Sequence, residues 1–283
     1  MLPIALLLFA MMAPAVALSP FFHDPRIFKI FGGHAARDGQ FPYMVYFLKK
    51  DANNQDFQCG GTLLSQRFVL TAAHCVQGLR SGQVMVGSTT LQGGRTAQWS
   101  SIRRIMSHQG YIGNPKWYND IAIVEINPVR LNQYVQTVRI VKDDSALFRP
   151  RKATAIGFGT YDYTANNAPI TSPYLRVAQM ILFSHQECRQ KNGAYIIESQ
   201  ICAGDQGRGI GAGDSGGPLL VSTNNGMVQV GLSSHAARDY HSEKYHADRY
   251  PGVFTRVSSY CGWISKATNG EVNCKSSFKE TTV

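Results

Sequence analysis

The stretch GAGDSGGPLL, Gly211 to Leu220, sets Ser215 between an aspartate and two glycines. A serine hydroxyl is a weak nucleophile. It needs a base within hydrogen-bond reach and a third group that holds the base. LTAAHCV carries His74 after a strand-like run and beside Cys75, and YNDIAIVEI carries Asp120 at the head of an apolar strand. An acid at that position faces away from solvent and can orient an imidazole. Taken singly, each has a plainer reading. Gly-Asp-Ser-Gly-Gly-Pro also makes a surface turn, His74 suits an ordinary half-buried position, and Asp120 suits the turn before a strand.

The elements that must position these residues are short strands. FPYMVYFL, GTLLSQRFVLTAA, QVMVG, DIAIVEI, ATAIGFG, YLRVAQMIL, GPLLV and MVQVGLS are rich in β-branched and aromatic residues. Gly, Asn, Pro or Asp clusters separate them, a pattern that predicts an all-β sandwich or barrel. One helix is predicted near the end, from about Ser258 to Thr268. Ser258 or Ser259 would cap it, and Val257, Trp263 and Ile264 would form its apolar face. The tail after Asn269 is polar and reads as loose, except where Cys274 can pin it.

The bulk numbers agree with a globular chain. It has 283 residues, 44% hydrophobic and 16% charged, enough for a sizeable core and too apolar for disorder. Residues Ile4 to Val16 are almost wholly apolar and lead into Ala15-Val16-Ala17, so Met1 to Ala17 reads as a secretory signal peptide. No second stretch is long enough to span a bilayer, and a secreted, soluble product without a membrane partner is expected. In that compartment six cysteines suggest disulfides, of which spacing alone allows fifteen connectivities. The formal charge is +10 with scattered basic residues, read as a solvated surface and not as a nucleic-acid site. No Asn-x-Ser/Thr sequon is present, so N-glycosylation is not expected.

Taken together, the order His74, Asp120, Ser215 within TAAHC, DIAIV and GDSGGP resembles the trypsin/chymotrypsin-like serine proteases, from Ile30 to about Ala267. The resemblance implies two six-stranded antiparallel β-barrels with a C-terminal helix, the boundary near 140–150 and the active site between them. It implies a tail over 268–283. It also implies an activation propeptide, Leu18 to Lys29: cleavage after Lys29 would free Ile30, whose ammonium would pair with Asp214. Phe31 stands where valine is more usual. Gly213 and Ser215 would supply the oxyanion N–H groups, a kind of donor whose removal costs on the order of 3 kcal/mol. The implied bridges are Cys59–Cys75, Cys188–Cys202 and Cys261–Cys274. Two familiar bridges are missing: Ala153 and Val221 stand where one pair would be, and Gly211 replaces a cysteine that braces the specificity pocket.

The pocket maps onto Gly209 at its base, with Ser234, His235 and Ala236 on one wall and Gly252 on the other. A neutral base disfavours Lys or Arg, which would be buried without a counter-ion. Large apolar or aromatic residues are expected first, smaller aliphatic ones second, and acidic ones third if Arg208 turned inward. His235, His241 and His246 lack acidic or cysteine partners at ligand spacing and read as solvated. Cys75 to Ser107 holds no acid for a calcium loop, so no metal and no cofactor is expected. The expected partners are protein or peptide substrates, an activating trypsin-like protease and protein protease inhibitors, with the enzyme a monomer. The alternative is a protease-like binding or regulatory protein that kept the fold and lost the chemistry.

Overall fold

The computed structural model describes residues 30–50, 56–79, 81–149, 151–236 and 239–276. The segments expected to be a signal peptide and a propeptide, Met1 to Lys29, lie outside the described residues.

A two-residue strand, β1 (His34–Ala35), precedes the first barrel and pairs with the second. The first barrel is built from β2 (Met44–Lys50), β3 (Asp56–Leu63), β4 (Phe68–Thr71), β5 (Gln83–Val86), β6 (Gln98–Ser107) and β7 (Ala122–Ile126). These close in the order β2-β3-β4-β7-β6-β5, all antiparallel. The second barrel uses β8 (Lys152–Gly157), then a β9–β10 hairpin (Thr160–Tyr163, Pro169–Thr171) that stays outside it. It continues with β11 (Arg176–Phe183), β12 (Gln200–Gly204), β13 (Pro218–Thr223), β14 (Gly226–His235) and β15 (Gly252–Arg256). Strand β8 pairs with both β11 and β13 and so closes the ring. Closure removes free strand edges, which an all-β chain must otherwise protect.

The run GTLLSQRFVLTAA divides into the end of β3 and the whole of β4. A tight turn at Ser65–Arg67 makes the break, its Ser65 hydroxyl accepting from the N–H groups of Arg67 and Phe68. The four residues of β4 are all buried, as is all of β7 except Glu125, which faces Arg104 at 3.2 Å. Apolar residues of β2, β4, β5 and β7 fill the first barrel. A second cluster around Ile201, Leu219, Val230 and Phe254 fills the other.

Among the described residues four α-helices lie outside the barrels: α1 (Ala73–Val76), α2 (His185–Asn192), α3 (Tyr240–Tyr245) and α4 (Cys261–Ala267). The end of the chain departs from expectation in two ways. The last helix begins as a 3-10 turn over Val257–Tyr260, and α4 has no side-chain cap. Ser258 instead donates to Asp144 at 2.9 Å, beside the Arg256–Asp144 ion pair. Nor is the tail loose as far as Lys275: Lys275 donates to the Ile140 carbonyl and accepts from Lys142, while Val272 and Cys274 are buried. The three bridges Cys59–Cys75, Cys188–Cys202 and Cys261–Cys274 are formed.

Candidate active site

His74 lies on the single turn of α1, set there because β4 delivers the chain to the barrel rim. The Cys59–Cys75 bridge ties α1 to β3. Asp120 lies two residues before β7, followed by the apolar Ile121, and is wholly buried. A buried carboxylate is costly unless hydrogen-bonded, and this one is saturated. Its Oδ1 accepts from the His74 backbone N–H at 3.0 Å, and its Oδ2 meets His74 Nδ1 at 2.8 Å. The same Oδ2 accepts from the Ser234 hydroxyl at 2.6 Å, and the Asp120 carbonyl accepts from Thr255 at 2.9 Å. Donation from Nδ1 to Asp120 leaves Nε2 with its lone pair, the tautomer a general base requires.

Ser215 reaches the same place from the second barrel. Its carbonyl accepts from the Gly60 N–H at 2.7 Å, and Gly60 adjoins Cys59, whose bridge partner adjoins His74. Gly216, at φ +77°, presses on Thr71, Gly60 and Ala72, so closely that a Cβ there would collide with the segment leading into His74. Gly213, at φ +91°, turns the chain just before Asp214. Among the described residues neither the Gly213 nor the Ser215 N–H makes a backbone hydrogen bond. Two uncommitted N–H groups flanking a serine can receive an oxyanion.

Asp214 points away from this space. It is 1% exposed. Its Oδ1 accepts from the Gly159 N–H at 2.9 Å and its Oδ2 from the Gly211 N–H at 3.0 Å. Ile30 is equally buried, in the core of the second barrel.

The pocket residues divide. Ser234 supports Asp120. His235 stacks on Trp117 with ring centroids 5.6 Å apart, and burial lowers its pKa to about 4, so it is neutral near pH 7. Ala236 packs against the second core. Gly209 bridges to Phe31. Gly252 lies under Ile210, whose Cγ1 and Cδ1 would be 2.7 and 3.0 Å from a Cβ there. Arg208 turns outward to Asp205 at 3.2 Å. His235 does not join the other two histidines. His241 and His246 have rings 5.1 Å apart, and the sole cluster of three metal-ligating types among the described residues is Cys59, His74 and Cys75. Its two sulfurs are bonded to each other.

Sequence reasoning missed four residues here: Ile210, Trp117, Thr255 and the Asp120-binding role of Ser234. Trp117 and His235 share a cleft of about 530 Å³ with Asn114, Asn192, Tyr195 and Tyr250. The one available signal was Trp117 itself, a large aromatic three residues before the acid.

The trypsin family model matches residues 30–264, so the chain belongs to the trypsin family of serine proteases. It is 31% identical over 243 residues to chymotrypsin-like elastase family member 1 of Canis lupus familiaris, covering 84% of this chain and 91% of that one. The Bos taurus protein of the same name is 29% identical over 245 residues, covering 84% and 89%. A solved structure of HL collagenase matches with a TM-score of 0.71 at 28% identity, over 85% of this chain and 99% of the other.

Proposed function

We propose that the chain is a secreted serine endopeptidase, made as a zymogen and switched on by a trypsin-like cut after Lys29. The observation that carries this reading is Asp120, fully buried and holding His74 in the tautomer that leaves Nε2 free to take a proton. In this reading Ser215 Oγ attacks the peptide carbonyl as its proton passes to His74 Nε2. The Gly213 and Ser215 N–H groups receive the oxyanion. His74 then returns the proton to the leaving amine, which breaks the C–N bond and leaves an acyl-enzyme for water to hydrolyse. Asp120 stays ionised and stabilises the imidazolium. After the cut the Ile30 ammonium pairs with Asp214, a buried pair that is favourable because the carboxylate already has two N–H donors.

The substrate residue before the scissile bond is apolar in this reading. No acid stands at Gly209, and Arg208 is paired outward. Ile210 fills the space over Gly252 and shortens the pocket, which favours residues of Leu or Met size over the largest aromatics. The enzyme acts on protein substrates as a monomer and is open to protein protease inhibitors.

Hydrolysis of a fluorogenic peptide library, before and after trypsin treatment, tests all of this. Activity should appear only after treatment, with Ile30 as the new amino terminus, and should favour apolar residues at the varied position. Full activity with the terminus at Leu18 would remove the zymogen step, and a Lys or Arg preference would overturn the pocket.

A further inference from the structure

Trp117 touches His74, and His235 touches both Trp117 and Ser234, the residue that holds Asp120. Trp117 meets His74 edge-on at 5.3 Å, and its other neighbour is the His235 ring, nearly parallel to it. His235 Nδ1 also lies 3.4 Å from Ser234 Oγ. The single Ser234 proton is spent on Asp120, so any proton in that contact must come from His235. At 3.4 Å the contact is long and weak, whereas the stacking geometry is good for aromatic rings.

Trp117 is itself held under constraint. Its φ is +52°, a left-handed conformation that a bulky residue avoids. Such a backbone persists only where its surroundings fix it. Here the Gln200 side chain, from the second barrel, donates to the carbonyls of Lys116 and Trp117 at 3.2 and 3.3 Å. The Trp117 N–H is bonded to Gly113, and the neighbouring Tyr118 hydroxyl donates to the Tyr195 carbonyl at 2.7 Å. The backbone that carries the indole is thus tied to the second barrel, and the indole meets the His74 ring at a steep angle.

We propose that the Trp117–His235 stack is a positioning element for the catalytic histidine, pressing the His74 imidazole against Asp120 and keeping water from that hydrogen bond. His235 and Trp117 are positioning residues in this role, acting through ring contact and not through proton transfer. The inference rests on the protease reading above.

The test separates positioning from substrate contact by using an acyl group too small to reach the cleft. Acylation of the activated enzyme by p-nitrophenyl acetate is followed as a burst. His235→Ala and Trp117→Ala should each slow it about tenfold, the span of a lost aromatic contact. His235→Phe, which keeps the stack and loses the nitrogens, should recover most of the rate. The low-field proton resonance of His74 Nδ1–H should be present in wild type and His235→Phe and exchange-broadened in His235→Ala. If both alanine variants acylate at the wild-type rate, with only the KM for longer peptides raised, the pair merely binds substrate and the proposal fails. If His235→Phe is as slow as His235→Ala, the Ser234 contact does the positioning and the stack does not. If wild type itself shows no burst, the protease reading fails and not this inference alone.

Discussion

His74 and Asp120 stand on the first barrel behind the Cys59–Cys75 bridge, each fixed by hydrogen bonds from backbone and side chain. The opposite wall, Gly209 to Asp214, has no bridge. Its packing comes from apolar contact: Phe31 lies over Gly211 and stacks on Tyr163 with centroids 6.0 Å apart, and Ile210 covers Gly252. A Cβ at Gly211 would sit 2.9 Å from Phe31 Cε2 and 2.9 Å from the Thr160 carbonyl. A cysteine therefore does not fit there while Phe31 is in place. Phe31 and Gly211, the two positions where the resemblance leads one to expect other residues, are thus in contact: the ring and the Thr160 carbonyl occupy the volume that a side chain at Gly211 would need. The half proposed to be catalytic is thus specified by directional bonds, and the half proposed for recognition by shape. Shape is the softer of the two, since apolar packing can relax where a hydrogen-bond network cannot.

The largest expected effect lies on the bonded half. Ser215→Ala or His74→Ala should lower kcat on a peptide substrate by on the order of a million-fold, and the double variant should be little worse, because the residues act as one unit. Additive losses would show that the two do not share a step. Next comes the junction between the halves. Asp214→Asn puts an amide nitrogen against either the Gly159 or the Gly211 N–H, two donors facing each other. One unpaired buried group costs about 1–3 kcal/mol, so activity after trypsin treatment should fall about 10- to 100-fold while the protein is still secreted. Wild-type activity in this variant would separate Asp214 from the active state.

The shape-held half gives a smaller, testable coupling. Gly211→Ala should cost about 1–3 kcal/mol by overpacking, read as a melting temperature lowered by about 2–4 °C per kcal/mol. Phe31→Val in the same chain should return part of that loss. If the two changes add within about 0.5 kcal/mol, the ring does not occupy the space assigned to it, and the contrast between the halves weakens.

The same contrast explains what could be read beforehand. Three motifs with fixed residue types carry the proposed triad, and strands such as DIAIVEI announce themselves because every position but Glu125 is buried. Strand β6, QWSSIRRIMS, was not foreseen: it is mostly exposed or half-buried, so hydroxyls and arginines interrupt its apolar positions. Strands β12 and β15, five residues each and buried almost throughout, were not foreseen either. Ser234 was legible as a wall residue. Its bond to Asp120 joins positions 114 apart in sequence, and nothing local encodes it. Ile210 and Phe31 are ordinary apolar residues whose roles follow from which glycine each one covers.

The smallest effect tests the outer rim of the recognition half. Helix α2 leads from the end of β11 towards Asn192 and Tyr195 in the cleft, and it is held at both ends of its first turns. Cys188 bonds to Cys202, and Ser184 and Glu187 form a reciprocal capping box. The Ser184 hydroxyl and N–H, assisted by Arg151, lower the Glu187 pKa from its ordinary 4.5 to about 2. Because the folded value is depressed, this carboxylate contributes stability that is fully present above about pH 4.5. That contribution is lost as the pH falls towards 2. Glu187→Gln should therefore cost no more than about 1 kcal/mol at pH 7, the ordinary size of a capping contribution. The difference from wild type in urea midpoint should shrink steadily between pH 4.5 and 2. Peptide hydrolysis at neutral pH should be unchanged, since α2 supports the rim and touches none of the proposed triad. A constant difference across that pH window would mean that the cap acts through neutral hydrogen bonds, and that the rim owes nothing to the Glu187 charge.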